Sequence, residues 1–437
     1  MVRVWQSQSL RGSVQIPPSK PHCQRAFLLA MLADGESWIH NVNTCSETQF
    51  IAEACASFGA TLAYRGQSVQ VRGVAGKPRQ PRHVLQLAGS GFALRNLLAV
   101  SSLADGPTIL MANERMAHRP LLPLVERLSE LGARIESIDP TSILPLVNWG
   151  GQLRGGTLTV SAETTSQFAS AVLLIAPYAD DTLVLRLPGT IVGREYVHLT
   201  VSLMQQFGAQ VRASADMHMI EVRRGGYQAC EITIGPDMTS LFYFIAAAVI
   251  VDTDVHVANV FLGTDPALDE AVAIGRALGV QIIQTSRGVQ ICSGAPPRQR
   301  VELQVEHVPT LVPALAALAA SLPYGLRITG AQHIQFHKTS RLAAVLGELE
   351  KIGHQFDPIY ERDALDGFET MPSNGRVTEL VDSHGDHRLF MALFLACLRA
   401  PLPTYVSGQE TLVTSFPEFV DCFAELGAQI TAPTVAV

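Results

Sequence analysis

The sequence predicts an α/β protein of two lobes, each built from three copies of one supersecondary unit, and three observations predict it. A stretch that reads as the end of an amphipathic helix, a Gly stop and the start of a strand occurs six times, at Phe58-Gly59-Ala60, Leu131-Gly132-Ala133, Phe207-Gly208-Ala209, Leu278-Gly279-Val280, Ile352-Gly353-His354 and Leu426-Gly427-Ala428. Their glycines stand 73, 76, 71, 74 and 74 residues apart, which marks an internal repeat. Ahead of each copy runs an almost wholly apolar segment of helical length. Polar breaks at Arg223-Arg224-Gly225-Gly226 and Gly235-Pro236-Asp237 fall between the third and fourth copies.

Each element has a local reason. The apolar segments 26–33, 94–104, 168–179, 241–251, 311–322 and 390–398 are hydrophobic on all sides, and a helix of that kind must be buried on all sides. Six such helices bury one another only in groups, with strands and the second, amphipathic helices outside them. The Gly after each amphipathic helix supplies a left-handed cap that a Cβ would penalise, and the alternating apolar residues that follow suit a half-buried strand. The expected order within a unit is therefore strand, buried helix, strand, amphipathic helix, strand. Three units on either side of the polar breaks give two lobes, and a cleft between lobes is a common setting for a ligand. Pro17-Pro18 marks a second break, so that a short first strand is free to join the far lobe.

Composition narrows the function. The chain has 437 residues, 47% of them hydrophobic, and a formal net charge of −7, with no basic tail or Lys/Arg run to meet a nucleic acid. Seven scattered cysteines without a Cys-x-x-Cys pair argue against structural zinc and a disulfide framework, and for a reducing cytoplasm. The first residues do not read as a signal peptide, and the longest apolar runs fall short of a membrane span. Nothing calls for a metal or a cofactor, and a monomer is expected.

Basic residues recur near the starts of the buried helices and at strand ends: Lys20, Arg25, Arg95, Arg119, Lys338, Arg341 and Arg388. Taken singly, each reads as an ordinary solvated charge. Their recurrence at equivalent places in several units points to a shared site for a polyanion, since arginine offers a planar fork and lysine a point charge to carboxylate or phosphate. Gly89-Ser90-Gly91 ahead of one buried helix adds to this, because small residues let backbone N–H groups approach an anion.

Pro18-Ser19-Lys20-Pro21-His22-Cys23-Gln24-Arg25 resembles the Gly-Ser-Lys-Ser-x-Ser-x-Arg opening of the EPSP synthase family of enolpyruvyl transferases. The resemblance continues, in order, through Gly89 to Arg95, Met116-Ala117-His118-Arg119-Pro120, Thr165-Ser166-Gln167-Phe168, Thr339-Ser340-Arg341, Asp386-His387-Arg388 and Ser415-Phe416-Pro417. It implies two domains, 19–235 and 1–18 plus 236–437, each of three βαβαββ units around buried parallel helices, with the ligand cleft between them. The implied chemistry transfers the enolpyruvyl group of phosphoenolpyruvate to a hydroxyl of shikimate 3-phosphate, through a tetrahedral intermediate and with release of phosphate. Lys20, Arg119, Arg341 and Arg388 match phosphoenolpyruvate-binding positions. Arg25 matches the partner of the shikimate carboxylate, Thr165 and Ser166 match hydroxyls on its phosphate, and Gln167 and Tyr196 match further contacts.

The chain departs from the family where protons move. Thr310 stands at the position of an Asp near the attacking hydroxyl, Lys338 at that of the Glu associated with protonating the methylene, and Thr414 at that of a Lys facing the phosphate. Pro21 and Gly193 stand at Ser positions and Gly89 at an Asn position. A Thr does not accept a proton as a carboxylate does at neutral pH. His337, at a family Lys position, is the foremost replacement acid or base, with His22 and His333 behind it as satisfied or surface histidines. Asp386 and His387 also read as a helix cap, and Glu47 and Asp237 as cap or hinge residues.

Three functions are expected in descending order. The first is a diverged enolpyruvyl transferase of specialised metabolism, acting on a phosphorylated cyclic acid such as shikimate 3-phosphate. The second is a lyase that eliminates phosphate from such a substrate without phosphoenolpyruvate. The third is a non-catalytic binding protein. Restoring Thr310→Asp and Lys338→Glu together is expected to raise EPSP synthase activity.

Overall fold

The computed structural model describes residues 1–336, 339–373 and 377–431. His337 and Lys338 therefore lie outside the described residues. The chain divides into two compact units, Pro18–Gly235 and Met1–Pro17 with Pro236–Val437, and each has its own hydrophobic core.

Six four-stranded sheets share one topology. In the sheet of Val301–Gln304, Leu326–Thr329, Ala364–Met371 and Gln355–Glu361, the first two strands are parallel and joined through a buried helix, while the last two form an antiparallel hairpin whose return strand lies in the middle. The other five sheets repeat this strand order. Burial follows the pleat: along Asp252–Val257, Thr253, Val255 and Val257 are buried while Asp252 and Asp254 face outward.

Three sheets take a strand from distant chain. Glu231–Thr233 supplies the first strand beside Glu36–His40, and Val2–Val4 inserts between Thr404–Ser407 and Ile430–Thr431. Ser9–Val14 pairs in parallel with Asp252–Val257, so both N-terminal strands belong to the unit that contains the C-terminus.

The six apolar segments form the buried helices α1 (Lys20–Leu32), α2 (Gly91–Ser101), α3 (Gln167–Ile175), α4 (Met238–Ile250), α5 (Val312–Ala319) and α6 (His387–Cys397). Helices α4, α5 and α6 pack against one another, and α2 packs on α3. The amphipathic helices lie outside; Leu122–Glu130 buries only Leu124 and Leu128, one turn apart. At the six repeated glycines φ is +103, +106, +80, +91, +93 and +99° in chain order, the left-handed caps that the sequence predicts.

Helices α1, α2, α4 and α6 begin three to six residues before their apolar runs. Side-chain caps explain the extra turn: Ser19, Ser90, Asp237 and Asp386 accept from the backbone N–H of His22, Ala93, Ser240 and Arg388 respectively, satisfying donors that a helix start leaves open. At the other end, α3 gives way to a 3-10 turn over Ala176–Tyr178, where Pro177 cannot donate to the ladder. The added first turns carry Lys20 and Arg388, and so place candidate ligands at helix N-termini.

Burial also fixes an acid response. His22, His333 and His354 are each pulled down to about 4, chiefly by burial. An unfolded histidine titrates near 6.5, so as pH falls the unfolded chain takes up these protons first. The stabilisation from neutral burial is whole above pH 6.5 and is lost as pH falls through 4. Urea unfolding midpoints at pH 7 and pH 5 are expected to differ, with the lower at pH 5; equal midpoints would contradict neutral burial. His22 and His333 are thereby removed from the near-neutral range in which an acid or base works best.

Candidate active site

In the unit Pro18–Gly235, α1 opens on Lys20, whose Nζ pairs with Glu47 Oε2 at 2.9 Å, both side chains about one-tenth exposed. Glu47 lies in the first turn of the helix Ser46–Ser57. The sequence reading of Glu47 as a cap or hinge residue missed this pairing.

One turn and a half further along α1, Arg25 is 1% exposed. Its Nε donates to Thr200 Oγ1 at 2.8 Å, Nη1 to the Pro21 carbonyl at 3.0 Å and Nη2 to Ser170 Oγ at 3.3 Å. The guanidinium also lies over the rings of Phe92 and Tyr196, with centroids at 4.9 and 5.7 Å. Burial pulls Arg25 down to about 10, opposed by Tyr196 and Glu195, so it stays a cation at neutral pH. Five N–H donors are available to an arginine. Three of them are used here among the described residues.

Helix α2 places Arg95 in its second turn. Nη1 donates to Gln167 Oε1 at 2.6 Å and Nη2 to the Pro120 carbonyl at 2.8 Å, so Arg95 ties the start of α3 to the loop carrying Arg119. A Cβ on Gly91 would lie 2.7 Å from an Nη1 of both Arg95 and Arg119. Two guanidinium groups therefore meet over a bare glycine at a helix N-terminus. Burial first, and Arg119 second, pull Arg95 down to about 9. Gly91→Ala is expected to displace both guanidinium groups and weaken binding of a phosphate-bearing anion there roughly tenfold, about 1.4 kcal/mol, with thermal stability little changed. Titration calorimetry checks it, and unchanged affinity would contradict it.

Thr165 Oγ1 accepts from the Gln167 N–H at 3.3 Å, and Ser166, 5% exposed, stands at the N-cap position of α3 without a side-chain capping bond. Tyr196 lies in the helix Arg194–Gln206. In this unit, then, Arg25, Thr200, Ser170 and Tyr196 form one constellation, and Arg95, Gln167, Gly91 and Arg119 another.

In the other unit, Arg341 begins the helix Arg341–Glu350. Its Nε and Nη2 donate to Asp386 Oδ2 and Oδ1 at 2.7 and 3.2 Å, and Asp386 has no exposed surface. Asp386 caps α6 as expected of a residue before Leu389, and the same carboxylate holds Arg341. At the far end of that helix, buried Glu348 accepts from the Asp382 N–H at 2.9 Å and bonds His384 Nε2 at 2.8 Å. The segment leading into Asp386-His387-Arg388 is thus fastened to one helix at two places.

Arg388, 8% exposed, reaches the Thr310 carbonyl with Nη1 at 3.4 Å, and its own carbonyl accepts from Tyr243 Oη at 3.2 Å. The Thr310 hydroxyl accepts from Thr239 Oγ1 at 3.1 Å. A hydroxyl pair therefore occupies the place where a carboxylate is expected by resemblance. Asp237, 9% exposed, is the cap of α4. Thr414 Oγ1 donates to the Thr411 carbonyl at 2.8 Å and stands 3.0 Å from His387 Nδ1.

The comparisons with known proteins can be set beside this geometry. A family model described as EPSP synthase (3-phosphoshikimate 1-carboxyvinyltransferase) matches residues 4–423. A 3-phosphoshikimate 1-carboxyvinyltransferase of Methanothrix thermoacetophila is 33% identical, over 98% of this chain and 98% of that protein. One of Methanocella arvoryzae is 30% identical, over 96% and 97%. Among solved structures, EPSP synthase from Acinetobacter baumannii superposes with a TM-score of 0.80 at 21% identity, covering 98% of both chains. The enolpyruvyl transferase NikO from Streptomyces tendae does so with 0.76 at 18% identity, again over 98% of both. At those identities the two structures speak for the fold alone.

Proposed function

The chain belongs to the EPSP synthase family of enolpyruvyl (carboxyvinyl) transferases, and from that premise we propose that it transfers enolpyruvyl from phosphoenolpyruvate to a phosphorylated cyclic acid such as shikimate 3-phosphate, in specialised metabolism. The observation that carries the reading is the meeting of Arg95 and Arg119 over Gly91. Two like charges at one helix N-terminus repel each other, and an anion bound there relieves the repulsion. Lys20, Arg119, Arg341 and Arg388 serve phosphoenolpyruvate; Arg25, Thr165, Ser166, Gln167 and Tyr196 serve the acceptor.

In the reaction, the acceptor hydroxyl oxygen bonds to C2 of phosphoenolpyruvate and gives up its proton, while the methylene carbon takes one up. The tetrahedral adduct then loses a methyl proton and expels phosphate, leaving the enol ether. His337 beside Lys338 carries these protons in place of the family's carboxylates. The enzyme works as a cytoplasmic monomer. All seven cysteines are free, and among the described residues no helix is long and apolar enough to cross a membrane.

The Thr239–Thr310 hydrogen bond favours one further reading, because a hydroxyl there does not deprotonate an attacking alcohol. That reading is a lyase which expels phosphate from a shikimate 3-phosphate-like substrate. Phosphate release, followed with shikimate 3-phosphate and with a panel of phosphorylated cyclic acceptors, separates the two. Release that requires phosphoenolpyruvate supports transfer; release without it supports elimination; silence across the panel favours a binding role.

A further inference from the structure

Arg25 is held by two hydroxyls that the residue patterns do not single out. Thr200 and Ser170 each have no exposed surface, and each is the polar residue on an otherwise apolar helix face. Thr200 lies with Val197, Val201, Leu203 and Met204 on the buried side of the helix Arg194–Gln206, and Ser170 lies between Ala169 and Ala171 in α3. A buried hydroxyl costs stability unless it is hydrogen-bonded. Here the two oxygens stand 3.0 Å apart, and Arg25 donates to both, from Nε to Thr200 Oγ1 at 2.8 Å and from Nη2 to Ser170 Oγ at 3.3 Å. Thr200 Oγ1 also lies 2.7 Å from the carbonyl of Tyr196, one turn back in its own helix, which fixes the hydroxyl in turn.

Nε and Nη2 lie along one edge of the guanidinium, so the hydroxyl pair grips that edge. The ring contacts with Phe92 and Tyr196 attract the cation through the ring quadrupole, and that attraction does not fix how the guanidinium is rotated in its own plane. Two directional hydrogen bonds along one edge do. Recognition of a carboxylate by arginine depends on this rotation, because the planar fork must meet the carboxylate oxygens. The pair consists of neutral oxygens, which orient the guanidinium and leave its charge in place, whereas Lys20 and Arg341 are paired with the carboxylates of Glu47 and Asp386.

We infer that Thr200 and Ser170 are positioning residues for the acceptor, setting the orientation in which Arg25 meets its ring carboxylate. Having no exposed surface, they act through Arg25 and not on the ligand. The inference rests on the reading of the chain as a transferase whose acceptor is a phosphorylated cyclic acid, and it assigns the selection of the acid group to a buried pair of hydroxyls.

Calorimetric binding to the full chain, without phosphoenolpyruvate, tests it with two probes: shikimate 3-phosphate, and its analogue with a hydroxymethyl group in place of the ring carboxylate. Thr200→Val keeps the shape and removes the hydroxyl. It is expected to weaken shikimate 3-phosphate roughly tenfold while changing the affinity for the analogue less than about twofold. Thr200→Ser, which keeps a hydroxyl, is expected to bind both probes as the unmodified protein does. Ser170→Ala withdraws the longer bond and gives a smaller loss with the same preference between probes; should Thr200→Val not fold, this variant decides. Equal losses for the two probes would show a structural role alone and overturn the inference, as would shikimate 3-phosphate binding that is unchanged by the variants or absent from the unmodified protein. The two readings fail separately. Absence of phosphoenolpyruvate-dependent phosphate release with every acceptor overturns transfer and leaves the selective loss of binding; a missing loss with transfer intact overturns only the role of the hydroxyl pair.

Discussion

Replacing Asp386 with alanine is expected to lower stability by about 3–5 kcal/mol and to abolish phosphoenolpyruvate binding in any molecules that remain folded. Asp386 has no exposed surface and Arg341 is 5% exposed, so the substitution takes a carboxylate away from a buried guanidinium. It also removes the cap that accepts from the Arg388 N–H at 2.9 Å, loosening the turn that aims Arg388. Asp386→Asn separates the two effects. The amide keeps a capping oxygen while losing the charge, so stability recovers in part while phosphoenolpyruvate affinity stays low. Urea unfolding and calorimetry read the two quantities independently. A variant as stable as the parent would show that the Arg341–Asp386 pair does not hold the segment.

Thr310→Asp combined with Lys338→Glu is expected to raise phosphoenolpyruvate-dependent turnover of shikimate 3-phosphate by about 10²–10⁴-fold, the usual contribution of positioned acid–base groups. At position 310 the new carboxylate inherits the Thr239 hydroxyl, 3.1 Å from the present Thr310 Oγ1, as a donor, and Arg388 is nearby to hold it ionised. The substitutions act on kcat. Steady-state kinetics that show no rise in kcat would mean that more than these proton carriers separates the chain from shikimate 3-phosphate chemistry.

Backbone requirements made much of the fold legible. A glycine at +φ leaves the same mark in every copy, and an all-apolar helix has one place to go, so six glycines and six runs suffice for the repeated unit. Less legible was anything that depends on pairing across long separations. The three-residue strands Val2–Val4 and Glu231–Thr233 are too short to show a period, and their partners are set by closure of the sheet. The helix starts were hidden because capping residues and first-turn cations interrupt the apolar run that signals a buried helix.

The site followed the same division. Lys20, Arg25, Arg95, Arg119, Arg341 and Arg388 stood out as cations in repeated positions, and the structure places Lys20, Arg341 and Arg388 in first helical turns, Arg25 and Arg95 in second turns and Arg119 in a loop, each within its own unit. Their protein partners did not stand out. Glu47 is 27 residues from Lys20 and Asp386 is 45 from Arg341, while Ser170 and Thr200, which hold Arg25, are polar residues on otherwise apolar helix faces.

The most direct test of the account is the mass spectrum of the product formed when the protein, phosphoenolpyruvate and an acceptor found to support phosphate release are incubated together. The account predicts an acceptor that has gained one enolpyruvyl group and kept its phosphate, with one inorganic phosphate released per product. An acceptor that has lost its own phosphate while phosphoenolpyruvate is left intact would contradict it.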